Sequence, residues 1–192
     1  MVNWKTTPLT FYNDKIICED SSSAFFESEV MMDWEDPIMS ASSAYITQDG
    51  GDILEVGFGM GISANYIQLH NISSHTIIEN HPQIVEKAIE WSKDKPNVTI
   101  ISESWYDVKD SLGIYNGILF DTYGDDDMYV FSSSLSSWCK SGTKVTWWNN
   151  ECEADNFYNI PNVTYKEMNI KPEPNSYFTG SSIYYMPMKE FE

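Results

Sequence analysis

The segment DILEVGFGMGI, residues 52–62, decides how the chain is read. Residues 52–56 form a short apolar run of strand length that ends in Gly57, Gly59 and Gly61, spaced G-x-G-x-G. Ile62, Tyr66 and Ile67 then recur at helical spacing, so the segment predicts strand, tight turn and helix. Glycine lets such a turn adopt positive φ and lets a ligand approach the backbone closely. A dinucleotide fingerprint needs its third glycine at position 62, where Ile62 stands, and no Gly-Lys-Ser/Thr follows to make a phosphate loop. A nucleoside-like ligand lying across the turn remains. Glu79, about 20 residues further on, is placed to accept hydrogen bonds from ribose hydroxyls.

Outward from this segment the pattern alternates. Residues 75–79 (HTIIE) read as a strand, and Pro82 stands where a helix begins. Ile84, Val85, Ala88 and Ile89 make the apolar stripe of that helix, with Glu86, Lys87 and Glu90 turned outward. Residues 98–101, 117–120 and 144–148 read as further strands, separated by polar stretches at 104–112 and 122–142. Strands alternating with helices predict an α/β fold with a mainly parallel, twisted, Rossmann-like sheet. Residues 163–170 and 181–188 read as an antiparallel C-terminal pair at one sheet edge. At the N-terminus, residues 10–17 are strand or loop, 20–23 a polar turn, and 29–43 a helix broken near Pro37. One domain over residues 1–192 is expected, with 1–45 as a short N-terminal cover and 46–192 as the core.

Composition bounds the function. A chain of 192 residues with 42% hydrophobic and 15% aromatic content can fill one core, which excludes a disordered tail or a disulfide-stapled miniprotein. Eleven Lys and Arg against 29 Asp and Glu give a net charge of −18, so nucleic acid and anionic membranes are repelled while a small cation is favoured. Cys18, Cys139 and Cys152 are odd in number and form no CxxC pair, which argues against a disulfide framework or a Cys-based zinc site and for a reducing cytoplasm. No apolar leader opens the sequence, and no apolar stretch is long enough to span a membrane. Asp125, Asp126 and Asp127 read as a solvated loop, and His70, His75 and His81 lack metal-ligand spacing, so no metal is expected.

Four blocks carry a more specific signal: VMMDWEDPIM at 30–39, LEVGFGMGI at 54–62, HTIIE at 75–79 and GILFDTY at 117–123. Together, and in this order, they resemble the guanidinoacetate N-methyltransferase family of class I adenosylmethionine-dependent methyltransferases. The fungal arginine Nδ-methyltransferases are similar too, above all at VMMDWE and HTIIENHP. The resemblance covers residues 4–150. It implies S-adenosylmethionine contacts at Trp4, Met31 and Met39, along the turn at Glu55, Val56, Gly57, Phe58, Gly59 and Met60, at Glu79, Asn80 and His81, at Ser104 and Trp105, and at Asp121. It further implies that Glu35 and Asp121 hold the guanidino group and that the acceptor's carboxylate lies near Asn150 and Glu151.

The implied chemistry is demanding. A guanidinium has no free acceptor lone pair and a pKa above about 12, so its nitrogen attacks a methyl group only as a proton leaves. Two carboxylates can hold the planar fork and aim one nitrogen at the methyl. Asp121, at the end of the fourth strand, is assigned as the base, and Glu35 as the clamp that neutralises the remaining charge. Near Glu151 a substrate carboxylate meets repulsion, which leaves open free arginine, peptide-borne arginine or another guanidino compound as the acceptor. The expected enzyme is thus a guanidino N-methyltransferase, monomeric or homodimeric. The alternatives are an arginine Nδ-methyltransferase acting on a protein or peptide, and a non-catalytic adenosylmethionine-binding protein.

Overall fold

The computed structural model describes residues 4–18, 28–123, 130–150, 153–154, 156, 158–174, 176–178 and 181–192. The polar turn expected at 20–23, the acidic run 125–127 and Glu151 lie outside the described residues. The central sheet contains β4 (Asp52–Val56), β5 (Ser74–Ile78), β6 (Val98–Ile101), β7 (Tyr115–Phe120), β8 (Cys139–Trp147), β9 (Thr164–Asn169) and β10 (Ile183–Glu190). Their spatial order is β6-β5-β4-β7-β8-β10-β9. Pairs from β6 through β8 are parallel, whereas β10 runs antiparallel to both β8 and β9. The order reverses at β4, so the crevice beyond the carboxyl ends of β4 and β7 is the topological switch point at which open α/β sheets bind ligands.

β4 is buried on both faces: Ile53, Leu54, Glu55 and Val56 are each no more than 1% exposed. That explains why it reads as a continuous apolar run and not as an alternating one. On one face, helices α1 (Asp36–Ile46), α2 (Ile62–Gln68) and α3 (Pro82–Ser92) bury Ile38, Met39, Ile46, Ile67, Ile84 and Ala88 against the strands. On the other face, short α4 (Trp105–Val108) and α5 (Phe131–Trp138) supply Trp105, Phe131, Leu135 and Trp138 to an aromatic core around Phe120. The Trp105 and Phe120 rings meet edge-on at 5.0 Å, and the Trp138 indole N–H donates to the Lys109 carbonyl at 2.9 Å. The stripe on α3 is narrower than the sequence suggests, because Ile84 and Ala88 are buried while Ile89 is 47% exposed.

The N-terminal region differs most from its sequence reading. β1 (Leu9–Phe11), β2 (Lys15–Cys18) and β3 (Ser28–Met32) form a separate antiparallel sheet in the order β1-β2-β3. Residues 29–32, expected in a helix, are therefore strand. A 3-10 turn follows at Asp33–Glu35. Pro37 sits in the first turn of α1, where its fixed φ and missing N–H cost nothing, so it starts the helix and does not break it. α1 packs on β7, β8 and β10 and thus belongs to the layer over the main sheet.

Candidate active site

Three chain reversals meet at the carboxyl end of β4. The Gly57 N–H donates to the Ile78 carbonyl at 2.8 Å, and the Asp121 N–H donates to the Val56 carbonyl at 2.8 Å. Gly57 has φ +95°, and a Cβ there would lie 1.8 Å from the Asp121 carbonyl oxygen. Only glycine lets the turn and the end of β7 come this close, so one residue both shapes the turn and sets where Asp121 emerges.

A cleft with a cavity volume of about 240 Å³ opens over this junction. Of the residues singled out in the sequence, Trp4, Met31, Val56, Gly57, Phe58, Gly59, Glu79, Asn80, Ser104, Trp105 and Asp121 line it. The buried Glu79 carboxylate organises one wall, accepting the Phe58 N–H at 3.0 Å and the Asn80 and His81 N–H groups at 2.8 Å each. A carboxylate offers about four acceptor positions, so one remains for a ligand donor. Burial raises the Glu79 pKa, an effect these backbone bonds oppose. Ser104 caps α4 by accepting the Tyr106 N–H at 3.3 Å, which fixes Trp105 beneath the cleft. Trp4 closes a rim, its ring 4.7 Å from His81 and 4.9 Å from Tyr123.

Met39, Glu55, Met60 and His81 are not among the lining residues. Met39 is 1% exposed and packs in the core beneath α1. Glu55 lies fully buried under the turn, accepting from the Ser63 hydroxyl and paired with His75 Nε2 at 2.8 Å. Met60 donates its N–H to the Met31 sulfur at 3.1 Å and so steadies a lining residue. His81 Nε2–H donates to the Thr7 carbonyl at 2.9 Å, tying the N-terminal segment to the start of α3. Asn150 is exposed just past β8.

Asp121 and Glu35 lie close enough for their charges to act on each other. Asp121, on the cleft wall, has its carboxyl pKa raised to about 7 by burial and secondarily by Glu55. Glu35 is 2% exposed and outside the cleft lining, and its pKa is raised well above the carboxylate range, first by burial and then by the Asp121 charge. The Met32 N–H donates to Glu35 Oε1 at 2.9 Å, and the Tyr177 hydroxyl donates to the same carboxylate. Trp34, Trp148, Tyr177 and Phe178 pack together with rings 5.8–6.4 Å apart, and Tyr177 joins this cluster to Glu35 through its hydroxyl.

Sequence reasoning missed Tyr177, Tyr184, Trp148 and Glu29 in this neighbourhood. Glu29 Oε2 accepts the Ser176 hydroxyl at 2.7 Å and the Tyr177 N–H at 2.9 Å, pinning residues 176–177 to β3. The Tyr184 hydroxyl accepts the Asn149 N–H at 2.8 Å. These pairs span 148 and 35 residues, and no local periodicity announces them.

Comparison with known proteins turns this arrangement into an identity at the family level. The model of a family described as guanidinoacetate N-methyltransferase matches residues 3–137, well over half the chain. The chain belongs to that family. A protein arginine N-methyltransferase 2 from Yarrowia lipolytica is 35% identical over 133 residues, covering 62% of this chain and 28% of the relative. The protein of the same description from Aspergillus oryzae is 38% identical over 116 residues, covering 59% and 26%. The chain therefore spans less than a third of the length of these curated relatives. Spermidine synthase from Thermotoga maritima superposes with a TM-score of 0.63 at 11% identity, covering 95% of this chain and 72% of that one. Precorrin-6y C5,15-methyltransferase from Geobacter metallireducens gives 0.62 at 12%, covering 89% and 95%. At such identities the likeness is one of fold. Family and fold agree: a member of the guanidinoacetate N-methyltransferase family here carries a Rossmann-like sheet. Among the described residues no cluster of His, Cys, Asp and Glu is suited to a metal, and no helix is long and apolar enough to cross a membrane.

Proposed function

We propose that the protein transfers a methyl group to a guanidino nitrogen, with Asp121 as base and Glu35 as clamp. The observation that supports this reading is that Asp121, on the wall of the nucleoside-sized cleft, lies near enough to the buried Glu35, outside that lining, for its charge to raise the Glu35 pKa. Two like charges so placed favour a cation between them, because it relieves both the burial and the repulsion.

The cleft suits adenosylmethionine by its donor set. Glu79 keeps an acceptor position for ribose hydroxyls, the turn 56–59 offers close backbone approach, Ser104 and Trp105 give a polar edge and an aromatic floor, and Trp4 covers the rim. When bound, the cofactor supplies a methyl carbon activated by a positive sulfur. Glu35 and Asp121 would hold two edges of the guanidinium and leave one nitrogen free to receive the methyl. Asp121 would accept on a carboxylate oxygen the N–H proton that the guanidinium loses as it is methylated. Glu35 stays ionised and balances the charge left on the guanidinium. An arginine side chain within a protein is a second reading, favoured by the description that the fungal relatives carry.

Asp121→Asn tests the assignment. It removes the base but keeps the shape, so methylation of arginine and small guanidines measured with labelled cofactor should fall about 10²–10⁴-fold. S-adenosylhomocysteine affinity by calorimetry should stay within about threefold. Undiminished methylation would exclude Asp121 as the base.

A further inference from the structure

The charges around the clamp form an unusual set. Glu29 also raises the Glu35 pKa, and the charges that act on the Tyr177 hydroxyl are those of Glu35, Asp121 and Tyr184. Three carboxylates and two phenols therefore share one neighbourhood, and among the described residues no lysine forms an ion pair with any of the three acids. All eleven cationic residues of the chain are lysines, and the sequence contains no arginine. Lys5, Lys93, Lys95, Lys109 and Lys144 are paired with Glu103, Glu90, Asp94, Asp110 and Asp49 respectively. Lys15, Lys87 and Lys189 lie over the rings of Tyr12, Phe11 and Phe191. Lys140 reaches Asn116, and Lys166 and Lys171 are exposed.

One guanidinium neutralises only part of this field. A carboxylate one carbon away from it would add a like charge to the field of Glu29, Glu35 and Asp121, in a setting that water screens poorly. The neighbouring aromatic cluster of Trp34, Trp148, Tyr177 and Phe178 favours a nearby cation over an anion.

Resting on the guanidino reading above, we infer that the acceptor is a guanidino compound with no carboxylate beside its guanidinium and with further positive charge on its chain, selected by the juxtaposition of Glu29, Glu35 and Asp121. Residues 176–178 belong to this selection. Glu29 holds them down, Tyr177 rests its hydroxyl on Glu35, and an arriving guanidinium takes the place of that hydroxyl. The free amine of a diamine-like guanidine and a lysine flanking an arginine in a peptide offer the same chemistry.

Steady-state methylation of four acceptors by the full chain tests this: agmatine (two positive charges), butylguanidine (one), guanidinoacetate (zwitterionic) and a capped Lys-Arg-Lys tripeptide. The expected kcat/KM order places agmatine or the tripeptide first, butylguanidine next and guanidinoacetate last, with about a hundredfold between the ends. Agmatine ahead of the tripeptide identifies a free acceptor, and the reverse a peptide-borne one. Raising ionic strength should increase KM for agmatine several-fold more than for butylguanidine. Glu29→Gln should shrink the agmatine-to-butylguanidine ratio, and the salt series probes the same field in the unaltered protein. Guanidinoacetate equal to or better than agmatine would overturn the inference and leave the guanidino reading standing. No methylation of any of the four, with S-adenosylhomocysteine still bound, would remove both.

Discussion

The cleft proposed for the cofactor and the region proposed for the acceptor lie side by side and are built in opposite ways. The cleft is made by consecutive residues at strand ends, and its principal acid is satisfied: Glu79 receives three backbone N–H groups. The acceptor end is assembled from β3, the turn before α1, the end of β7 and residues 176–178, and its acids repel one another. The first is pre-organised by backbone, the second is held in tension for a ligand to release. Each region can be challenged separately.

The largest effect is expected at Gly57. Alanine there meets the Asp121 carbonyl at 1.8 Å and is strained by φ +95°, so unfolding free energy should fall by more than about 3 kcal/mol. S-adenosylhomocysteine affinity should fall at least about tenfold. Gly142 is the internal control: its φ is +85°, but a Cβ there meets nothing within 4 Å. Gly142→Ala should cost only about 1 kcal/mol of backbone strain and leave affinity alone. Equal losses from the two would show that close approach is not what the turn requires.

Next in size is Glu35→Gln. Removing the clamp's charge while keeping its shape should raise KM for a guanidino acceptor about 10–100-fold, with cofactor affinity within about threefold. Loss of cofactor affinity as large as loss of acceptor affinity would dissolve the distinction between the regions.

The two regions were also unequally legible in the sequence. β4 stands at its expected bounds because a central parallel strand is apolar throughout and is followed by glycine, and β6, at the sheet edge, does so because its β-branched run lies between Asn97 and Ser102. The lining residues Val56 to Gly59 and Glu79 follow from local order alone. Glu35 and Asp121 came from family resemblance, since nothing in spacing brings residues so far apart together. Residues 29–32 misled because Met31 and Met32 suit a helix by propensity, while pairing with β2 decides their state. Tyr177 and Glu29 were invisible, because a contact across 148 residues leaves no periodic trace and the family match ends at residue 137.

A pH series sharpens the contrast further. With the Asp121 carboxyl raised to about 7 and the Glu35 carboxyl raised as well, kcat/KM should rise with pH through about 7 as these acids ionise. A bound guanidinium favours the ionised form, so the corresponding limb of kcat should lie at lower pH. A profile flat from pH 5.5 to 8 would deny Asp121 the role of base.

The smallest effect is on stability, and there the regions should differ in sign. Asp121 has a folded-state pKa raised to about 7, above its unfolded value near 4, so its contribution to folding is fully present below pH ~4 and is lost as pH rises through ~7. At pH 8 the ionised carboxylate is a burden on the fold. Asp121 is still partly open to solvent, which discounts the full shift to about 1–2 kcal/mol. Asp121→Asn should therefore raise Tm by about 3–6 °C at pH 8 and by almost nothing at pH 4. Glu79→Gln should do the reverse at pH 8, because it turns an amide NH₂ toward backbone N–H donors that now share a single oxygen, at a cost of about 1–3 kcal/mol. Calorimetric scans of both variants at the two pH values decide the matter. The same sign for both at pH 8 would mean that Asp121, like Glu79, is a structural acid, and that the tension at the acceptor end is not stored in its carboxylate.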